Sequence, residues 1–270
     1  MKRLFKQFII ACVYLLIFSG FSWMMWGVFY TPTCSDGLKN QDEEDADCGG
    51  PCATCELRTL SYPSVSRKLF FMDPNGNATD VAIQIKNPNS SWGLKSFDYR
   101  VDFADSTGKI LPGSLYGRSF LMPGATQWIM EAARFSSAEL NDVEFKITTS
   151  TIDWNKLRPY VSENEFVIRD KQYKLLAPPA SGYAELTGVI ENKSSFSVNE
   201  FEVQGVLYDK EKRIIGFGKT KVLSLRPGQV KEFRIFWPRQ FTNRNPVANF
   251  DVFANINFLA DESFLQRYKQ

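Results

Sequence analysis

No charged residue occurs between Lys6 and Asp36. The apolar centre of that run, Phe8 to Tyr30, reads FIIACVYLLIFSGFSWMMWGVFY. A bilayer core of ~30 Å is crossed by about 20 helical residues, so the stretch predicts a membrane-spanning helix. Residues 1–30 are then a cytoplasmic stub and a transmembrane anchor. Lys2, Arg3 and Lys6 precede the run, and the next basic residue is Lys39. Basic residues stay on the cytoplasmic side. The expected topology is therefore single-pass in the cell membrane, with the N-terminus inside and the bulk of the chain extracytoplasmic. Trp23, Trp26, Phe29 and Tyr30 crowd the outer end, where amphipathic rings prefer the headgroup level. The competing reading is a cleaved signal peptide, with Phe8–Phe18 as its apolar core and small residues at Gly20 and Ser22. Against it, the run continues through Val28, further than a signal needs.

The composition narrows the chemistry. Among 270 residues there is no His, which removes the commonest general base and metal ligand. Triads built on Ser-His or Cys-His and HExxH zinc sites are excluded. A net charge of +2 gives no nucleic-acid footprint. No catalytic constellation is legible, and the chain is not expected to be an enzyme.

Cys12 lies inside the apolar run. The other four cysteines, Cys34, Cys48, Cys52 and Cys55, fall just beyond it, in an acidic collar spanning residues 31–57. Clustered cysteines in an exported segment predict disulfides. Four cysteines allow three pairings, and spacing does not choose among them. A four-thiolate zinc site is the rival; Cys52-x-x-Cys55 has no second close pair to match it. Asp36, Asn40, Glu43 and Asp47, with nearby glycines, are candidate ligands for a hard cation such as calcium. The other reading is that they cap turns. CSDGLKNQDEEDADCGGPCATC resembles the short motif C-x-D-G-x-x-N-x-x-E-x-x-x-D-C-G-G-x-C-x-x-C of many secreted and surface proteins. That resemblance implies a small cross-linked surface module and no reaction.

From about Leu57 the pattern is β. Val81, Ile83 and Ile85 alternate with polar or small residues, as do Phe97, Tyr99, Val101 and Phe103. Period two with one apolar face predicts half-buried antiparallel strands, and turn signals such as Asp105-Ser106-Thr107-Gly108 separate them. The second half echoes the first at a constant offset. Pro74 answers to Pro178, Phe97 to Phe201, Asp105 to Asp209, and Pro123-Gly124 to Pro227-Gly228. Asn87 answers to Asn192 with one extra residue, and Val81, Ile83 and Ile85 answer to Leu186, Gly188 and Ile190. A repeat longer than the ~20–50 residues of a solenoid unit predicts a duplicated domain. The expected fold is all-β, two tandem immunoglobulin-like sandwiches over residues 58–153 and 160–260, joined by a link within 153–163. Residues 261–270 form a polar tail, a short helix or frayed end.

The stretch from Gly182 to Phe233 is similar to the FxLYD-type immunoglobulin-like domains of bacterial envelope proteins. It carries Gly188 to Asn192, Leu207-Tyr208-Asp209 and Pro227-Gly228, and departs at Gly205, where the family has its name-giving Phe. The resemblance implies a non-catalytic β-sandwich. Trp92, in the polar stretch Asn89–Gly93, is the candidate partner contact, because loop aromatics often build binding surfaces. Phe196 occupies the like place in the second half, and shared packing is the preferred reading of the pair. The functional expectation is a membrane-anchored interaction or structural protein of the envelope, with an envelope protein as partner. The alternative is a surface receptor or adhesin sandwich for a glycan or small molecule.

Overall fold

The computed structural model describes residues 2–29, 33–72, 78–133, 139–159, 165–177, 182–241 and 246–269. It divides into two units, residues 1–60 and 61–270.

The first unit opens with α1, Lys2–Phe29. No proline interrupts it, and Phe5–Trp26 is a 22-residue apolar stretch, long enough to cross a membrane. Its large side chains, Leu16 and Trp23 among them, stand exposed. After it the chain turns tightly. Gly37, Gly49, Gly50, Gln41, Asp42 and Asp47 all have positive φ. At Gly50 (φ +55°) a Cβ would lie 2.6 Å from the Asp42 carbonyl oxygen, so only glycine fits. A 3-10 turn, Cys55–Thr59, ends the unit.

The second unit is all-β apart from its last residues, and consists of stacked sandwiches. The first is built from β1 (Ser64–Met72), β2 (Thr79–Lys86), β3 (Trp92–Ala104), β4 (Ile110–Leu121), β5 (Thr126–Ala133) and β6 (Asp142–Lys156). Its two antiparallel sheets have the orders β1-β2-β5 and β4-β3-β6. The second sandwich comprises β7 (Phe166–Leu175), β8 (Ala184–Asn192), β9 (Val198–Tyr208), β10 (Ile214–Leu225), β11 (Val230–Trp237) and β12 (Asn249–Asn255). Its orders are β7-β8-β11 and β10-β9-β12. The two six-strand plans are the same.

Alternation explains both cores. Successive strand residues point to opposite faces. Val81, Ile83 and Ile85 of β2 meet Phe97, Val101 and Phe103 of β3. Leu186 and Ile190 of β8 meet Phe201, Val203 and Leu207 of β9. Fully burying each such side chain is worth roughly 1.5–3 kcal/mol.

The opposite faces of two sheets are apolar as well. Ala82, Trp128 and Met130 of the first sandwich pack on Val206 and Phe217 of the second. The sandwiches are thus stacked sheet on sheet. Several polar contacts cross the same seam. Gln204 Nε2 donates to the Trp128 carbonyl at 3.0 Å. Lys219 Nζ lies 3.3 Å from Glu131 Oε1 and 2.9 Å from Glu202 Oε1. Tyr99 also donates to Glu131 Oε1, at 2.8 Å. Burial, and then the Glu131 charge, push the Tyr99 phenol up.

One expectation changes. The link was placed within 153–163, but Asp153 to Lys156 belongs to β6, with Asp153 opposite Ser96. Of the two readings of the tail, the short helix is the one found. After a 3-10 turn at Phe258–Ala260, α2 (Glu262–Tyr268) is capped by Asp261, which accepts from Phe264 N at 2.9 Å. Phe264 is 0% exposed, packed against Phe196, Phe258 and Tyr268. The apolar residues that seemed isolated in a polar tail fill the end of the second core. Arg158 N donates to the Tyr268 carbonyl, and Asn257 Nδ2 donates to the Lys95 carbonyl in the first sandwich. Pro74 and Pro178 lie outside the described residues.

Candidate functional site

The collar is closed by two disulfides, Cys34–Cys52 and Cys48–Cys55. All four candidate cysteines are therefore paired. Sequence left the pairing open because spacing cannot report which backbone turns bring Cβ atoms together.

Three of the four candidate calcium ligands, Asp36, Glu43 and Asp47, are engaged as backbone caps, while Asn40 donates through Nδ2 to Asp36 and its Oδ1 is buried with no partner among the described residues. Asp36 accepts from Thr33 N, Leu38 N and Asn40 Nδ2, which hold its carboxyl below the usual range. Buried Glu43 accepts through Oε2 from Asn40 N at 3.2 Å and Asp47 N at 3.0 Å. Asp47 accepts from Gly37 N with both oxygens, at 2.9 and 3.0 Å. The carboxylates of Asp36, Glu43 and Asp47 do not gather within 4.8 Å of one another as a set; among the described residues the group that does is Cys34, Glu43 and Cys52. Two of those sulfurs are joined to each other, so neither is a thiolate ligand. Calcium takes six to eight oxygens; the hydrogen bonds found at Asp36, Glu43 and Asp47 serve the turns.

The paired signature residues of the two sandwiches have one internal role each. Asn87 and Asn192 are both 0% exposed at the ends of their strands. Asn87 Nδ2 donates to the carbonyls of Trp92 and Met122; Asn192 Nδ2 donates to those of Phe196 and Leu225. Each asparagine plugs the same corner, where strand carbonyls would otherwise be buried unpaired. Asp105 Oδ1 accepts from Thr107 N and Lys109 N, and Asp209 Oδ1 from Glu211 N and Arg213 N. Both are turn caps.

Trp92 is the first residue of β3 and 8% exposed, with Lys156 Nζ 6.0 Å from its ring centroid. The polar stretch around it reads from sequence as a loop, in which shared packing with Phe196 is the preferred role and outward contact the other. The strand begins one step earlier, at Trp92 itself, and turns the indole inward, like Phe196 at 5% exposed.

A groove that sequence did not reveal lies along one side of the seam, with a volume near 580 Å³. One wall carries Gln84, Thr126 and Trp128 from the first sandwich, the other Gln204, Phe253 and Asn255 from the second. No periodicity could have signalled it, because its walls come from separate domains.

No known protein family and no curated protein matches the chain. Among solved structures it is similar to red sea bream transglutaminase, at 12% identity and a TM-score of 0.23, over 73% of this chain and 31% of that one. It is also similar to the calcium-binding domain CBD12 of CALX1.1, at 10% identity and a TM-score of 0.19, over 74% of this chain and 87% of that one. A third is the CBM22-1–CBM22-2 tandem domain of Xyn10C from Paenibacillus barcinonensis, at 8% identity and a TM-score of 0.14, over 75% and 89%. The chain thus spans about a third of the transglutaminase's length. Likenesses this faint carry nothing about activity or ligand.

Proposed function

We propose that this chain is a single-pass, membrane-tethered interaction or structural protein of the cell envelope, with its sandwiches extracytoplasmic and no catalytic role. The observation that carries the reading is the helical span Phe5–Trp26, apolar enough to cross a membrane and unburied, in a chain that also holds two disulfides. An exposed apolar stretch of this length calls for a lipid surround, and disulfides persist in oxidising compartments. The basic residues Arg3 and Lys6 in the first turns of the helix, ahead of its uncharged run, support a cytoplasmic N-terminus. The stacked sandwiches support a stiff projecting body that meets an envelope partner by its surfaces. Its repeated polar residues cap turns and strand ends, which supports a non-catalytic role.

Protease treatment of intact cells expressing the full chain tests the topology. Residues beyond 60 should be digested or released while the N-terminal stub is protected. A fully protected body, together with thiol labelling of all four collar cysteines, overturns the reading. Cross-linking in the native membrane should then return a recurrent protein neighbour.

The seam groove favours a second reading, a surface receptor or adhesin that holds a glycan or small molecule.

A further inference from the structure

The seam of the stacked sandwiches is closed over only part of its length. It is sealed where Ala82 and Met130 meet Val206 and Phe217. Towards Gln84 and Thr126 on one side and Phe253 and Asn255 on the other, the two sheets bound the groove.

Register shows why these side chains share it. On β2 and β5, Gln84 stands opposite Trp128. Both lie on the face that Ala82 and Met130 present to the second sandwich, since residues two apart share a face. On β9 and β12, Phe253 stands opposite Gln204, and Asn255 follows two residues later on the same face. The amides are partly uncommitted. Gln204 uses Nε2 for the Trp128 carbonyl and for Glu202. Gln84 uses Oε1 to accept from Ser66 Oγ. Among the described residues, Gln204 Oε1, Gln84 Nε2 and the whole Asn255 amide carry no hydrogen bond to protein. Phe253 is 43% exposed, a large aromatic surface beside these amides. Among the described residues the lining contains one charged residue, Lys171, and no acid.

We infer that this groove is a binding site for a neutral oligosaccharide segment. A carboxamide offers a donor and an acceptor side by side, matching sugar hydroxyls, each of which both donates and accepts. The exposed Phe253 ring offers an apolar, electron-rich face to the C–H face of a pyranose. A lining without carboxylates does not select cations, and the single lysine does not make an anion clamp. Small-ligand sites favour domain interfaces and volumes of roughly 300–1,000 Å³, and this groove meets both conditions. The inference gives a place to the second reading above and rests on it; it stands or falls apart from the membrane tether, which the protease experiment tests.

The test uses the full chain in phosphatidylcholine nanodiscs, free of glycoside detergents. Maltotetraose, cellotetraose and chitotetraose are titrated by calorimetry and followed by saturation-transfer NMR. At least one should bind saturably. Phe253→Ala and Asn255→Leu should each weaken it at least tenfold, while Tyr116→Ala, exposed on β4, leaves it unchanged. Circular dichroism and unchanged melting of both groove variants separate lost contact from lost fold. No binding of any of the three sugars by the native chain at about 10 mM, far weaker than a specific site, together with no binding in the glycolipid arm described below, overturns the inference. Binding that Phe253→Ala and Asn255→Leu leave intact, or that Tyr116→Ala also removes, overturns it equally. A parallel arm with vesicles carrying diglucosyl diacylglycerol separates a lipid headgroup from a free polysaccharide; saturable binding in either arm that the groove variants abolish supports the site.

Discussion

Gly188 stands directly opposite Phe233 across β8 and β11, at the ladder position where the first sandwich places Ile83 opposite Ile129. A Cβ on Gly188 would lie 2.7 Å from Phe233 Cζ, so the phenyl ring fills the space that two isoleucines divide in the other core. Cores hold their total volume more strictly than the identity of each residue.

Gly188→Ile alone should therefore overpack the second core and destabilise it by at least about 1–3 kcal/mol. Phe233→Ile alone should leave a cavity of comparable cost. The double variant should recover most of both losses. Urea unfolding of the three variants measures the coupling, and additive losses in the double would refute the exchange.

The seam is the next place where a single side chain decides. Phe217 is 6% exposed and meets Phe71 with ring centroids 5.3 Å apart. Phe217→Ala should cost about 3–5 kcal/mol. Most of that loss should fall on the contact between sandwiches, so unfolding should split into two transitions. Small-angle scattering should show a less rigid body.

Phe264→Ala should remove the plug at the open end of the second core and cost a further 3–5 kcal/mol or so. Hydrogen exchange should rise at Arg158 and Lys269, whose amides depend on the tail, while β2 in the first sandwich stays protected.

Thiol labelling of the native chain should find Cys12 as the one free sulfhydryl and no reactive collar cysteine. Cys34→Ser with Cys52→Ser opens the longer loop and should destabilise the collar by roughly 2–4 kcal/mol. The shorter Cys48–Cys55 loop should give less. Addition of a calcium chelator should leave the collar's proteolysis rate unchanged, because its carboxylates already serve backbone amides.

Stability should fall at both ends of the pH scale. Burial alone would raise Asp102, but hydrogen bonds from Ser114, Lys146 and Arg100 hold it below the unfolded value of 3.8. The Lys68 ammonium likewise lowers Asp142. Groups lowered on folding stabilise fully above 3.8 and lose that contribution as the pH drops from there through their folded values. At the alkaline end, burial pushes Tyr173 from 10.0 to about 12, so its contribution is lost as the pH rises through that window. The buried Tyr173 hydroxyl has no partner among the described residues. Tyr173→Phe should leave stability unchanged or improved by about 1 kcal/mol, and should flatten the alkaline limb of a melting-temperature profile.

The sequence alone determined what depends on local order along the chain. An uncharged run of fixed length marks α1, alternation marks β2 and β3, and turn residues at a constant offset expose the common plan of the halves. Asp105 and Asp209 were legible as turn residues because a side chain that caps its own turn needs only its neighbours. Tertiary structure decided whatever depends on segments that meet from a distance. It set which cysteines pair, and that Glu43 accepts from the amides of Asn40 and Asp47. It turned Trp92 inward and made Phe264 part of a core. It also stacked Trp128 and Met130 on Phe217, and so opened a groove beside Gln204. Each of these is fixed by packing between residues far apart in the chain, and their spacing along it carries no record of that distance in space.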